Sequence, residues 1–166
     1  MDAPLHFIEG GATIDQLDLD KCVGPCRIIS IDGLQPRALI EVAHLGEAAQ
    51  TIEPGDRIIL KTGWSKFVND SAIYRDGLPR ISEDLALWLA EKRIGFIGVE
   101  APSVADVNDI PEVTRIHEIL LGAEIVIAEG LCNLEAITLD TVELFALPLK
   151  PEGSDGSPAR IIAIER

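Results

Sequence analysis

Basic residues are scarce in this chain: 14 lysines and arginines stand against 28 aspartates and glutamates, a formal net charge of −14. A surface so acidic repels phosphate backbones and anionic membrane surfaces, which excludes nucleic acid and lipid headgroups as expected partners. Long apolar runs are missing too. The most apolar stretch, Ile119 to Leu131, is too short for a membrane span and carries Glu124 and Glu129. Cysteine is limited to Cys22, Cys26 and Cys132, an odd set that makes a disulfide framework an unsuitable reading. With no signal-peptide pattern at the start, the expected location is the reducing cytoplasm. Internal repeats and low-complexity tracts are absent as well.

What remains is a chain built to fold. Its 166 residues are 47% hydrophobic with a mean hydropathy of +0.22, enough for one domain, residues 1–166, around a respectable core. β-Branched runs separated by turn residues predict strands at Cys26–Asp32, after the Pro54-Gly55 turn at Asp56–Gly63, and at Val142–Leu149 and Arg160–Ile164. Ile94–Val99 and Ile125–Ala128 lack polar alternation and predict fully buried strands. Helices are predicted at Ser82–Lys92, with Ser82 as cap and Glu83 and Asp84 in the first turn, and at Asp109–Gly122, with Pro111 in the first turn. The Gly/Ser/Pro-rich loop Pro151–Pro158 reads as the most mobile internal segment. The fold class expected is mixed α/β, richer in strand than helix.

Only three histidines are available for chemistry. His44 precedes a polar turn and reads as an ordinary surface residue. His117 falls beside Val113 and Leu120 on the apolar face of its helix and should point inward. A lone inward histidine is more often a satisfied core residue than a ligand. Glu129 alters that balance, because it shares strand parity with Ile125 and Ile127 and so faces the same side. An unpaired buried carboxylate costs several kcal/mol and normally meets a cation, strong donors or a metal. At the other end of the chain Pro4 keeps Ala3 out of the helical region. In an extended stretch Asp2, Pro4 and His6 would then project to one side. By itself D-x-P-x-H suits a disordered terminus more readily than a site. Trp64 reads as a core aromatic before a pocket residue. Ser103 lacks the surroundings of a serine nucleophile, and Cys22-VGP-Cys26 reads as two structural thiols rather than half a zinc site.

Four blocks taken together, DAPLHF at the start, KTGWSKF from Lys61, GVEAPSV from Gly98, and H-x11-E within HEILLGAEIVIAEGLCNLE, resemble the cyclase family, whose best-known members are the bacterial kynurenine formamidases. The resemblance spans nearly the whole chain and keeps the family's order. It implies a swivelling β/β/α fold, homo-oligomers (dimers or tetramers), and a metal-dependent hydrolase in which metal-bound water attacks a small amide of the N-formylkynurenine or cyclic amide class. The implied cofactor is Zn2+, or sometimes Mn2+. Carried over by position, Asp2, His117 and Glu129 would be metal ligands and His6 the catalytic acid–base group.

One departure is plain. The family's leading motif resembles H-x-x-x-H-x-D-x-P-x-H, and Met1 occupies the place just before its aspartate, so the two early histidine ligands are not in this sequence. It is N-terminally truncated relative to the family, and three expectations compete: a start lying further upstream, a truncated non-catalytic paralogue serving as an oligomerisation or ligand-binding module, or ligands supplied by a neighbouring subunit. Three remaining ligands predict one weakly held ion at most. Strand structure missing upstream would leave a sheet edge for oligomerisation to cover.

Overall fold

A computed structural model describes all of residues 1–166. Its strands are β1 (Val23–Ser30), β2 (Leu39–Ile40), β3 (Arg57–Lys61), β4 (Arg80–Ile81), β5 (Phe96–Val99), β6 (Val126–Ala128), β7 (Thr141–Pro148) and β8 (Ala159–Ile164). Its helices are α1 (Ser71–Asp76), α2 (Glu83–Lys92) and α3 (Ile110–Gly122), joined by several short helical turns. Six strands form one sheet in the order β6-β5-β3-β1-β7-β8, and β2 pairs with β4 apart from it. β6, β5, β3 and β1 run parallel, whereas β7 and β8 are antiparallel additions.

The parallel strands read as continuous apolar runs because both of their faces are covered. Ile58, Leu60, Ile97 and Ile127 point to one side and meet Leu85 and Leu89 of α2 and Ile116 and Leu120 of α3. Ile59, Phe96, Val126 and Ala128 point to the other and meet Cys22, Leu131, Leu134 and Leu144. Burying a single leucine or isoleucine contributes about 1.5–3 kcal/mol, so this two-faced layer carries most of the stability. α2 starts where Ser82 accepts the Leu85 N–H, and α3 starts where Asp109 accepts the Glu112 N–H. Each such cap is worth about 1 kcal/mol.

Two expectations are corrected. Pro4–His6 is a single tight helical turn rather than an extended stretch, with Pro4 at its first position and only Ala3 extended before it. The Pro151–Pro158 loop is tied down instead of loose: it accepts from Ala3 and Ile14 and exchanges backbone hydrogen bonds with Met1. After Ala38 the two-residue strand β2 precedes a backbone that turns helical at Val42. No helix of the protein is long and apolar enough to cross a membrane.

Candidate metal centre

Parallel strands deliver their C-terminal ends to one edge of the sheet, the usual place for a site in open α/β sheets. Glu100 follows β5 and Glu129 follows β6 at that edge. The N-terminal strip lies beside them: the Asp2 N–H donates to Ile127 O at 2.9 Å, and the Ala3 N–H donates to Asp155 O at 2.9 Å. Asp2 is therefore held between β6 and the 155–157 loop. Its neighbourhood is close-packed, since a Cβ added to Gly156 would stand 2.8 Å from Met1 O.

Asp2, His117 and Glu129 converge. Each offers one ligand atom, and the three atoms lie within 4.8 Å of one another. His117 is 2% exposed, and its Nε2 stands 3.5 Å from Glu129 Oε1. Its other nitrogen, Nδ1, lies 2.8 Å from the Val113 carbonyl, one helical turn back. A carbonyl only accepts, so Nδ1 carries a proton, and Nε2, facing the carboxylates, is the nitrogen left to take up a second proton or a cation. The Phe7 ring stacks on the imidazole with centroids 4.4 Å apart, which fixes its plane.

The electrostatics of this cluster are unresolved within the protein itself. Burial, and then the charge of Glu129, push the Asp2 carboxyl above the usual carboxylate range. Asp2 Oδ2 is buried without a hydrogen-bond partner, an arrangement that normally costs free energy. For His117, burial pulls the pKa down, but Glu129 and the Val113 carbonyl outweigh it and the net direction is up. A divalent cation fits this donor set: one imidazole and two carboxylates suit zinc or manganese, and Asp2 carries a buried oxygen with no partner in the protein. Ligand atoms sharing a cation through bonds of about 2.0–2.2 Å stand roughly 3–4.5 Å apart, a range that includes the His117–Glu129 separation.

His6 sits at the rim. Its ring centroid is 6.0 Å from that of His117, and its Nδ1 lies 2.8 Å from Asp155 Oδ2. His44 stays outside the site, exposed, with its Nδ1 accepting from the Glu41 N–H. Trp64 is buried, packing on Phe67 and donating its indole N–H to Tyr74 O. Ser103 is buried with its Oγ accepting from Ala105 N, and the three cysteines are free thiols.

Sequence reasoning missed Glu100, Phe7 and Asp155. Glu100 is 1% exposed; its carboxylate accepts from Thr62 N and Oγ1, Gly63 N and Ser65 Oγ at 2.5–3.0 Å. It thus ties the KTGWSKF turn to the end of β5. Five residues on from the end of β5, the Val104 N–H donates to Glu129 Oε1 at 2.8 Å. A glutamate after a buried apolar strand was a legible signal for Glu100, and Phe7 adjoins the histidine of the opening block. Nothing local marks Asp155, which lies 149 residues from its partner. All four sequence blocks thus meet at one edge of the sheet.

A cavity of about 850 Å3 opens beside Glu129, its walls largely apolar and including Met1, Leu131, Leu134, Ile137, Leu144 and Ile161.

Comparison with known proteins matches this arrangement. Residues 1–106 match the cyclase family, described as putative cyclase. The chain is 34% identical over 167 residues to the kynurenine formamidase of Bacillus cereus, covering 98% of this chain and 72% of that one. The kynurenine formamidase of Salinibacter ruber is also 34% identical, with the same coverage. Among solved structures, a potential metal-dependent hydrolase with cyclase activity superposes with a TM-score of 0.80 at 30% identity, covering 98% of this chain and 75% of that one. Isatin hydrolase A from Ralstonia solanacearum superposes with a TM-score of 0.82 at 27% identity, over 99% and 70%. Likeness sustained over nearly every residue, with the four blocks gathered at one site, places this chain in the cyclase family.

Proposed function

We propose that this chain is a metal-dependent hydrolase that cleaves the carbon–nitrogen bond of a small amide, an aryl formamide such as N-formylkynurenine or a cyclic amide such as isatin. The observation that carries the reading is the meeting of Asp2, His117 and Glu129, together with a buried Asp2 oxygen that nothing in the protein satisfies. The names of the relatives support it, since they are kynurenine formamidases and an isatin hydrolase. A purely structural module would gain nothing from keeping that oxygen buried, so the non-catalytic alternative is not favoured.

In this reading Asp2, Glu129 and Nε2 of His117 hold a divalent cation, zinc first and manganese second. When bound, such an ion polarises an amide carbonyl and acidifies water enough to make a nucleophile at neutral pH. The protein does the rest. Val113 O keeps His117 in the tautomer that offers Nε2, Phe7 keeps its ring plane, and the Val104 N–H holds one Glu129 oxygen in place. The apolar cavity beside Glu129 takes the organic part of the substrate. His6 takes a proton from the attacking water and passes it to the departing nitrogen, a role an imidazole performs well near neutrality.

The test is calorimetric titration of the metal-stripped chain with Zn2+ and with Mn2+, alongside an assay of formate release from N-formylkynurenine and of ring opening of isatin. One weakly held ion per chain is expected, with hydrolysis of at least one substrate that His117→Ala abolishes. Micromolar or tighter binding at two sites per chain contradicts the single-ion reading. Failure to bind either metal, or to cleave either substrate when loaded, overturns the hydrolase assignment.

A further inference from the structure

Nδ1 of His6 and Oδ2 of Asp155 are 2.8 Å apart, although both side chains face solvent in good part, 38% and 55% exposed. An exposed pair of this kind adds little to stability, so its geometry calls for another account. Neither partner is free to wander. The backbone carbonyl of Asp155 accepts from Ala3, Ile14 N donates to Ser154 O at 2.8 Å, and Gly153 N donates to Asp15 Oδ1 at 3.0 Å. Gly156 and Asp2 bridge as antiparallel neighbours. The 153–157 loop is therefore a clasp across the strip that carries both Asp2 and His6. Close packing reinforces it inside the strip: a Cβ at Gly11 would come within 2.8 Å of the Pro4 backbone.

We propose that Asp155 is the positioning residue for His6, fixing its ring and its tautomer for the proton transfer of the hydrolase reading, on which this inference rests. An ionised carboxylate accepts and never donates, so Nδ1 must carry the hydrogen and Nε2 is left with the lone pair. The hydrogen bond from His6 in turn holds the Asp155 carboxyl below the usual carboxylate range. An aspartate that selects the working tautomer of a proton-transferring histidine is a recurring device in hydrolases. Here the device sits on a loop nearly the whole chain away, which lets one clasp align the acid–base group and the N-terminal acid together.

The test uses residues 1–166 and two readouts. In 15N spectra of the metal-free protein, taken where imidazole is neutral, His6 should show a protonated Nδ1 and an unprotonated Nε2. Asp155→Asn should shift it toward the other tautomer or a mixture, with the melting temperature unchanged. In the zinc-loaded chain the same substitution should lower kcat by roughly 10–100-fold with KM within about twofold, and Asp155→Glu should recover part of the loss. An unchanged tautomer in Asp155→Asn, or an unchanged kcat in a chain that does hydrolyse amide, overturns the proposal. If the wild-type chain cleaves nothing, the hydrolase reading falls, and the tautomer alone then decides whether Asp155 positions His6.

Discussion

Nε2 of His117 and Oε1 of Glu129 stand 3.5 Å apart although one belongs to a helix and the other to the end of the next strand. The α3–β6 connection creates this meeting: the helix ends at Gly122, the chain turns through Glu124 with positive φ, and β6 returns along β5. With Asp2 added from β6's other side, the group is a concentration of charge that the protein alone does not neutralise.

Asp2→Asn should therefore stabilise the metal-free protein while destroying its metal affinity. Removing a buried charge that burial and Glu129 both oppose should raise Tm by about 2–4 °C for each kcal/mol recovered. Thermal melts of the stripped variant and wild type, with calorimetry on both, check the opposed effects. A lower Tm with intact metal binding would contradict them.

The same cluster sets a pH dependence. Asp2 and His117 both have raised pKa values in the folded state. For each group the stabilising contribution is complete below its unfolded value and is lost as pH rises through its folded value. Metal-free protein should thus gain Tm from His117 as pH falls toward its ordinary value of 6.5, and from Asp2 as pH falls further toward 3.8. Zinc-loaded protein should do the reverse, because protons compete for the ligands. Calorimetric scans of both forms across that range give the two slopes.

Glu100→Ala should be among the most damaging single substitutions. It strips the acceptor from Thr62, Gly63 and Ser65 at a site 1% exposed. Buried donors left unpaired cost about 1–3 kcal/mol each, so a loss of about 3 kcal/mol or more is expected in urea unfolding. Glu100→Gln, which keeps an acceptor oxygen, should lose less.

Cysteine chemistry should be confined to one thiol. Burial pushes Cys22 up to about 11 and Cys26 up to about 12, whereas Cys132 is exposed. At pH 8 a thiol with so high a pKa holds almost no thiolate. Iodoacetamide should then label one site per folded chain and three after denaturation, as read by mass spectrometry.

Oligomerisation is expected at β8. This strand is an unpaired edge of the sheet, and it exposes Ile162 at 51% and Ile164 at 42%, a combination that native proteins usually cover. Light scattering should find a dimer or tetramer that the double substitution Ile162→Lys, Ile164→Lys dissociates. A wild-type monomer contradicts this.

The fold was legible wherever local patterning and burial agree. Both long helices, with their caps at Ser82 and Asp109, and six strands lie within a few residues of where periodicity and turn chemistry set them. The inward aim of His117 followed from helical spacing, and the parity of Glu129 from strand spacing. The Pro4 turn was misread because Pro suits both an extended stretch and the first position of a helix, and neighbours decide between them.

By itself, then, the order of residues determined which segments form helix or strand, which faces are apolar, and that His117 and Glu129 turn inward, because those properties depend on neighbours a few positions away. Only the tertiary structure decided that residues 2, 117 and 129 share one point, that Glu100 fastens one motif to another, and that Asp155 meets His6. Such pairings span up to 149 residues and are set by the packing of a whole sheet and its loops, for which no local spacing in the chain carries a signal.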